Sequence, residues 1–208
     1  MPSVTTVYSQ RVQWRCVVAK YCSDCGEPMV SKVPDGDNRE RQVCAGCGYV
    51  DYVNPTVIVS CLAYHEQKLV WVKRAEQPQR GFWVIPAGFL ECDESLEQGA
   101  LRELHEETNL TALSDTVELY TMGTLRYTNE VYIVFRAELE HTDFVLNHEV
   151  LDVGLFEERN APWDELAYPV MESYIRRFYT ELQNGQFKPY LGDFSNSGNV
   201  TRDLRNDQ

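Results

Sequence analysis

The chain has 208 residues, of which 43% are hydrophobic, and this allows one medium domain with a packed core plus a smaller one. It carries 19 basic and 32 acidic residues, so its formal net charge is −13 at pH 7, and such a surface disfavours broad binding of nucleic acids. No apolar run approaches the roughly 18 residues that span a membrane, and no apolar signal segment begins the chain, so we expect a cytoplasmic protein.

The first predicted segment, residues 1–19, is an N-terminal arm. Its stretches 4–8 and 12–18 have the composition of strands, and the sequence leaves open whether they form strands or an ordered arm. Neither stretch contains a motif that carries chemistry.

Residues 20–52 are predicted to form a zinc ribbon. Two C-x2-C pairs supply the ligands: Cys22, Cys25, Cys44 and Cys47. The 18 residues between the pairs fall within the spacing of zinc sites, and four thiolates make a closed, structural site. A glycine after each pair lets backbone amides approach the sulfurs, and residues 34–37 predict a hairpin turn between the pairs.

The charge of this ribbon bears on its role. It carries four Lys or Arg residues against six Asp or Glu residues. It therefore lacks the basic footprint of a nucleic-acid-binding ribbon, and we expect scaffolding or dimerisation instead.

Residues 53–184 are predicted to form the main domain, which begins with strands. Two strands are expected at residues 56–63 and 69–73, joined by a turn, and residues 77–81 read as a loop. A short strand is expected at residues 83–88, leading into the segment that carries the densest chemistry.

That segment contains a predicted helix, Leu96–Thr108. Ser95 is a suitable N-cap, Gln98 completes a capping box, and Asn109 suits a left-handed C-cap. One stripe should face the core: Leu96, Ala100, Leu101 and Leu104.

Three glutamates of this helix are expected to converge on an adjoining face: Glu103, Glu106 and Glu107. Like charges at this spacing destabilise a helix unless a cation compensates them, and hard oxygen ligands suit Mg²⁺ or Mn²⁺. The alternative is a solvated acidic face, which is common on helices.

The rest of the chain is predicted to add strands and a second helix. Strands are expected at residues 116–125, 130–139 and 153–156, with a turn at 127–129, and a helix at 170–184. Residues 185–208 are rich in Gly, Asn, Asp and Ser and are expected to form a loose C-terminal tail.

The segment from Gly88 to Leu110 resembles the signature of the Nudix hydrolase family, G-x5-E-x7-R-E-U-x-E-E-x-G-U. Eight positions match in register: Gly88, Glu94, Arg102, Glu103, Leu104, Glu106, Glu107 and Leu110. The departure is Asn109 in place of the final Gly. The resemblance implies an α/β/α sandwich around a mixed sheet, often dimeric, here preceded by the zinc ribbon.

The resemblance extends over residues 20–182 and implies hydrolysis of a nucleoside diphosphate linked to another group. The ribbon and the stretches 83–89 and 162–169 look like the ADP-ribose or FAD pyrophosphatases, whose products are AMP plus ribose 5-phosphate or FMN. NADH pyrophosphatases of similar layout carry Ser-Gln-Pro-Trp-Pro-Phe-Pro after the signature. No proline occurs here from Leu110 to Ala161, which disfavours NADH. A nucleotide-sensing binding module and an NADH or RNA-cap pyrophosphatase are the alternatives.

The resemblance also implies the metal site. Glu103 and Glu107 would be the principal ligands of Mg²⁺ or Mn²⁺, with Glu106 completing the shell. The backbone of Gly88 would lie against the metal, and Ala87 would lend a carbonyl oxygen.

Further catalytic roles follow from the same resemblance. Arg102 would form an ion pair that orients a carboxylate of the signature, such as Glu94. The general base would be a signature glutamate or an acid on a later loop, where Glu149 is the candidate and Asp152 and Glu140 are rivals.

Aromatic side chains are candidates for stacking on a base or a flavin: Phe82, Phe89, Tyr120 and Tyr127. At least half of these are expected to belong to the core. His105 is expected to point away from the glutamates and to be structural. We expect a small nucleotide as the substrate, a homodimer, and no membrane or nucleic-acid partner.

Overall fold

A computed structural model describes residues 19–126, 128–194 and 200–203. They form two compact units, one ending at Pro55 and including the turn residues 128–129, the other running from Thr56 to Arg126 and on from Glu130. The expectations for residues 4–8, 12–18 and Tyr127 lie outside the described residues. The boundaries at residues 19, 52 and 184 stay predictions.

The first unit contains a small antiparallel sheet. Its strands are β1 (Met29–Lys32), β2 (Arg41–Cys44) and β3 (Val50–Asp51), in the order β1-β2-β3. The Asp37 N–H donates to the Pro34 carbonyl at 3.0 Å, and Gly36 has a φ of +82°, which favours glycine. This confirms the predicted hairpin turn.

The second unit is built on a sheet that has nine strands in the described residues. They are β4 (Thr56–His65), β5 (Lys68–Arg74), β6 (Trp83–Val84), β7 (Ala87–Phe89), β8 (Glu118–Leu125), β9 (Glu130–Glu138), β10 (Val150–Phe156), β11 (Tyr190–Asp193) and β12 (Val200–Asp203). The order is β10-β5-β4-β9-β8-β11-β12, with β6 beside β5 and β7 beside β4. The pairs β4–β9 and β8–β11 are parallel and the others are antiparallel, which confirms the mixed sheet.

Two helices cover opposite faces of this sheet, α1 (Leu96–Thr108) and α2 (Glu172–Asn184). On β4, Val59 lies against Gly99 of α1, while the ring of Tyr64 lies 5.7 Å from that of Phe178 on α2. Because side chains alternate along a strand, Val59 and Tyr64 point to opposite faces. The result is the expected α/β/α sandwich, and β4 is buried on both faces.

The first helix begins and ends at the predicted residues. The Ser95 hydroxyl accepts from the Gln98 N–H, and the Gln98 side chain accepts from the Ser95 N–H, so the capping box is present. Asn109 has a φ of 60° and its N–H donates to the His105 carbonyl at 2.7 Å. Ala100 and Leu104 are fully buried, as the apolar stripe predicted.

Replacing Asn109 by alanine is expected to lower the free energy of unfolding by about 1 kcal/mol, because alanine tolerates a positive φ less well than asparagine. Urea denaturation measures the change. The matched control is Thr111→Ala, an exposed position two residues away, which should alter stability by less than about 0.5 kcal/mol. Equal stability of the two variants would contradict the prediction.

Several predicted boundaries differ from the structure. The short strand expected at residues 83–88 is two strands, because the chain leaves β5 after Val84 and joins β4 at Ala87. The strand expected from residue 116 begins at Glu118, after a 3-10 turn, and the last strand before α2 begins at Val150. The second helix begins at Glu172, since residues 169–171 form a 3-10 turn.

The prediction of a loose tail was wrong for part of residues 185–208. Tyr190–Asp193 (β11) pairs in parallel with β8, and Val200–Asp203 (β12) pairs with β11. Tyr190 is buried, with its ring 6.1 Å from that of Tyr120. An apolar anchor and an open sheet edge therefore outweighed the local composition. No helix in the described part of the chain is long and apolar enough to cross a bilayer.

Candidate functional site

The four predicted cysteine sulfurs lie within 4.8 Å of one another. The N–H groups of Gly46 and Cys47 each approach the Cys44 sulfur at 3.3 Å, and the Asp24 N–H approaches the Cys22 sulfur at 3.4 Å. The glycine after each pair has a positive φ, as expected for turns that aim amides at sulfur. The group therefore has the donors and the spacing of a tetrahedral thiolate site.

Arg102 is the centre of the second cluster. Its guanidinium makes a bidentate pair with Glu94, with distances of 2.9 Å and 2.7 Å. One nitrogen also donates to Glu103 at 2.7 Å and to Glu106 at 2.9 Å, and another donates to the Phe89 carbonyl at 2.9 Å. One cation thus orients three carboxylates and the end of β7.

Glu94 is the most firmly held of these carboxylates. The hydrogen bonds from Arg102, and then the Glu91 N–H at 2.8 Å, lower the pKa of Glu94 to about 2. It is therefore an ionised anchor for Arg102 at any ordinary pH. Gly99 belongs to the same arrangement, since a β-carbon there would lie 2.7 Å from a Glu94 oxygen.

Glu103 lies directly against Gly88. A β-carbon at Gly88 would overlap the Glu103 carboxyl group, so only glycine fits beside it. Burial raises the pKa of Glu103, and the hydrogen bond from Arg102 opposes that shift. The backbone of β7 and this carboxylate are thus in close contact, and the predicted place of Gly88 against a metal stays a prediction.

Glu107 is half-buried and lies next to Glu103. It accepts a hydrogen bond from the Ala87 N–H, while its Oε2 atom is buried and has no hydrogen-bond partner among the described residues. Burial, and then the charge of Glu103, raises the pKa of Glu107 to about 8. A buried oxygen without a donor, next to a second carboxylate, suits a hard divalent cation. Ala87 contributes its N–H here, and its predicted carbonyl role stays a prediction.

The three helix glutamates converge less closely than predicted. Glu106 is 49% exposed and turns to Arg102, whereas Glu107 has a buried Oε2 atom and accepts from the Ala87 N–H. In the part of the chain that is described, the three carboxylates do not come as close together as the four sulfurs. Neighbouring helix positions differ by about 100° in direction, so Glu106 and Glu107 cannot point the same way.

Glu149 lies near this pair of buried carboxylates. Its charge raises the pKa of both Glu103 and Glu107. Of its rivals, Asp152 accepts from the N–H of Val153 at 2.9 Å, and Glu140 is exposed at the end of β9. Glu149 therefore lies within electrostatic range of Glu103 and Glu107, and its role as a base stays a proposal.

The predicted stacking residues divide into two groups. Phe82 and Phe89 are 39% and 61% exposed, so their rings are accessible to a ligand. Tyr120 is buried against Phe178 and belongs to the core, so its stacking role was wrong. His105 is exposed, and its expected structural role stays a prediction.

Three residues of the site were missed in the sequence. The positive charge of Arg74, at the end of β5, lowers the pKa of Glu107 and so lies near it. Asn147 bonds to the carbonyl of Glu106. Gly99 has a signal that could have been used, because a glycine inside a helix often marks a close approach, but Arg74 and Asn147 depend on tertiary placement.

Comparison with known proteins places these features in a family. Residues 54–181 match the profile described as NUDIX domain, and residues 20–53 match the zinc-ribbon profile described as Nudix N-terminal. A crystal structure of a NUDIX hydrolase from Nitrosomonas europaea is 40% identical, with a TM-score of 0.79, covering 84% of this chain and 98% of that one.

Two curated relatives carry names of specific activities. The NAD-capped RNA hydrolase NudC of Haemophilus influenzae (strain PittGG) is 29% identical over 140 residues, which are 66% of this chain and 51% of the relative. The ADP-ribose pyrophosphatase of Methanocaldococcus jannaschii is 37% identical over 59 residues, which are 28% of this chain and 35% of the relative. The chain spans about half the length of the NudC relatives it matches.

Proposed function

This chain belongs to the NUDIX hydrolase family, and on that premise we propose that it hydrolyses the diphosphate of a nucleoside diphosphate linked to a second group. The observation that carries the proposal is the buried Glu107 oxygen, which has no donor among the described residues and lies beside Glu103, whose carboxylate is against Gly88. A buried carboxylate oxygen without a donor suits a divalent cation that binds a phosphate. On a solvated acidic face, burying that oxygen would cost free energy without any compensation.

Glu103 and Glu107 would hold Mg²⁺ or Mn²⁺, with Glu106 and the Ala87 carbonyl completing the shell. When bound, a divalent ion neutralises phosphoryl oxygens and lowers the pKa of coordinated water. Arg102 keeps Glu103 at its position, and Gly88 leaves room for its carboxylate.

Glu149 would accept a proton from the attacking water. It lies close to both metal-binding glutamates and its side chain is 43% exposed, so solvent reaches it. A carboxylate at such a position acts as a general base once substrate holds the water in line with phosphorus.

ADP-ribose or FAD is the proposed substrate, with AMP plus ribose 5-phosphate or FMN as products. The name of the Methanocaldococcus relative and the exposed rings of Phe82 and Phe89 support this class. NADH or an NAD-capped RNA is the second candidate, which the NudC relatives favour. The absence of proline from Leu110 to Ala161 favours the first. Action as a homodimer on small nucleotides in the cytoplasm is part of the same proposal.

A product screen tests the proposal. The full chain is incubated with ADP-ribose, FAD, NADH and an NAD-capped oligonucleotide, each with Mg²⁺ or Mn²⁺, and the products are separated by chromatography. AMP from ADP-ribose or FAD supports the first candidate. Reduced nicotinamide mononucleotide from NADH, or nicotinamide mononucleotide from the capped RNA, supports the second. Tight binding of these ligands by calorimetry without any product would overturn both and leave a nucleotide sensor.

We further propose that the four cysteines hold one structural Zn²⁺. Cys44→Ser should remove the metal, because a serine hydroxyl does not replace a thiolate as a zinc ligand. The Cys44 sulfur also accepts from the N–H groups of Gly46 and Cys47. Atomic emission should find about one zinc per wild-type chain and almost none in the variant. Cys92→Ser, at an exposed cysteine outside the cluster, is the control and should keep its zinc. Zinc retained by Cys44→Ser would contradict the assignment.

A further inference from the structure

The loop of residues 144–149 caps the C-terminal end of α1. The last carbonyls of a helix have no partner inside it, so other groups must donate to them. Here the Val145 N–H donates to the Thr108 carbonyl at 2.9 Å, and the Asn147 side-chain amide donates to the Glu106 carbonyl. The loop is thus attached to the turn of α1 that carries Glu106 and Glu107.

Asn147 also fixes the backbone of Glu149, two residues later. Its Oδ1 atom accepts from the Glu149 N–H at 2.9 Å, and the Glu149 carbonyl accepts from the Ala75 N–H at 3.2 Å. The backbone of Glu149 is therefore fixed between α1 and the end of β5. Its carboxylate makes one ion-pair contact among the described residues, a distance of 3.9 Å to His148, whose side chain is 88% exposed.

These contacts imply that the backbone, more than any side-chain contact, determines where the Glu149 carboxylate lies. A long contact with a solvated histidine fixes little, because exposed ion pairs are weak and mobile. The two hydrogen bonds of Asn147, in contrast, connect the Glu149 backbone directly to the helix that carries Glu103 and Glu107.

We propose that Asn147 is a positioning residue: by bridging the Glu106 carbonyl and the Glu149 N–H, it sets the position of the Glu149 carboxylate relative to Glu103 and Glu107. This inference rests on the proposed function, since it concerns the base of that reaction. Because Asn147 acts through Glu149, its loss affects the chemical step and leaves substrate binding almost unchanged.

The test is a double-mutant cycle with Asn147→Ala, Glu149→Gln and the double variant. It is measured on the compound that the wild-type chain cleaves fastest in the product screen. Asn147→Ala should lower kcat by about 10-fold to 100-fold, with KM within about twofold of wild type. The double variant should be no slower than Glu149→Gln alone, because the two residues act as one unit. Thr142→Ala, an exposed position shortly before this loop, is the control and should keep wild-type kinetics.

Two further measurements separate the possible outcomes. Asn147→Asp keeps the acceptor for the Glu149 N–H and loses the donor to α1, so it should resemble Asn147→Ala; it also serves if the alanine variant does not fold. Wild-type kcat in both Asn147 variants, or losses that multiply with that of Glu149→Gln, would overturn the inference. If Glu107→Gln is inactive in that case, the proposed function stands; a wild-type chain that cleaves no compound of the product screen refutes the proposed function itself.

Discussion

Glu107→Gln is expected to lower kcat for diphosphate hydrolysis by at least about 100-fold, because removing a direct metal ligand should exceed the 10-fold to 100-fold losses typical of groups that only support one. The glutamine keeps the shape of the side chain and can still accept from the Ala87 N–H. It also removes a negative charge that burial disfavours, so the fold should be retained. Steady-state kinetics with Mg²⁺ measure the loss of turnover, and calorimetric titration with Mn²⁺ measures the change in metal affinity.

Glu97→Gln is the matched control on the same helix. Glu97 is exposed in the first turn of α1 and its carboxylate accepts from the Ser95 hydroxyl, which an amide oxygen can also do. Turnover and Mn²⁺ affinity should therefore stay at the wild-type level. Wild-type turnover in Glu107→Gln would refute the assignment of the metal site.

The helix α1 was the most predictable part of the fold. Its start depends on Ser95 and Gln98 and its end on Asn109, and all these contacts are local in sequence. The cysteine cluster was predictable for the same reason, since two tight turns aim the sulfurs and the spacing between the pairs suits a ribbon. Local signals of this kind need no knowledge of the tertiary fold.

The strand β11 was not predictable, because its pairing partner is far away in the sequence. Tyr190 pairs with Thr121 in β8, and neither the composition nor the periodicity of residues 185–194 points to that edge. The division of residues 83–88 between β5 and β4 depends in the same way on which strands lie nearby. Parallel and crossover pairings are global properties of the chain.

The candidate site falls between these cases. The residues of the signature came from sequence, yet the structure shows that one oxygen of Glu107 is buried while the Glu106 side chain is 49% exposed. Arg74 and Asn147 reach the cluster from a strand end and a loop, so no spacing within the sequence could reveal them. A helix pattern identifies which carboxylates are available, and the neighbouring elements decide which of them is desolvated.

Gly88→Ala is expected to reduce kcat by about 100-fold, because the new β-carbon would displace the Glu103 carboxylate by about 1 Å. The β-carbon would overlap all three atoms of that carboxyl group, so the carboxylate or the strand must move. Gly88 does not have a positive φ, and alanine is therefore compatible with its backbone conformation. The loss should appear in Mn²⁺ affinity and in turnover, while the urea denaturation midpoint changes little.

A second substitution tests whether the clash with Glu103 is the cause. Glu103→Asp shortens that side chain by one methylene and makes room for a β-carbon at residue 88. If displacement of this carboxylate explains the loss, Gly88→Ala should have little further effect in the Glu103→Asp background, since neighbouring sites that share one interaction are not additive. If the losses of turnover from the two substitutions multiply, Gly88 acts through the strand and not through Glu103. If Gly88→Ala alone keeps wild-type turnover, the Glu103 carboxylate can move without loss of activity. The close approach of β7 to α1 would then have no part in holding the metal.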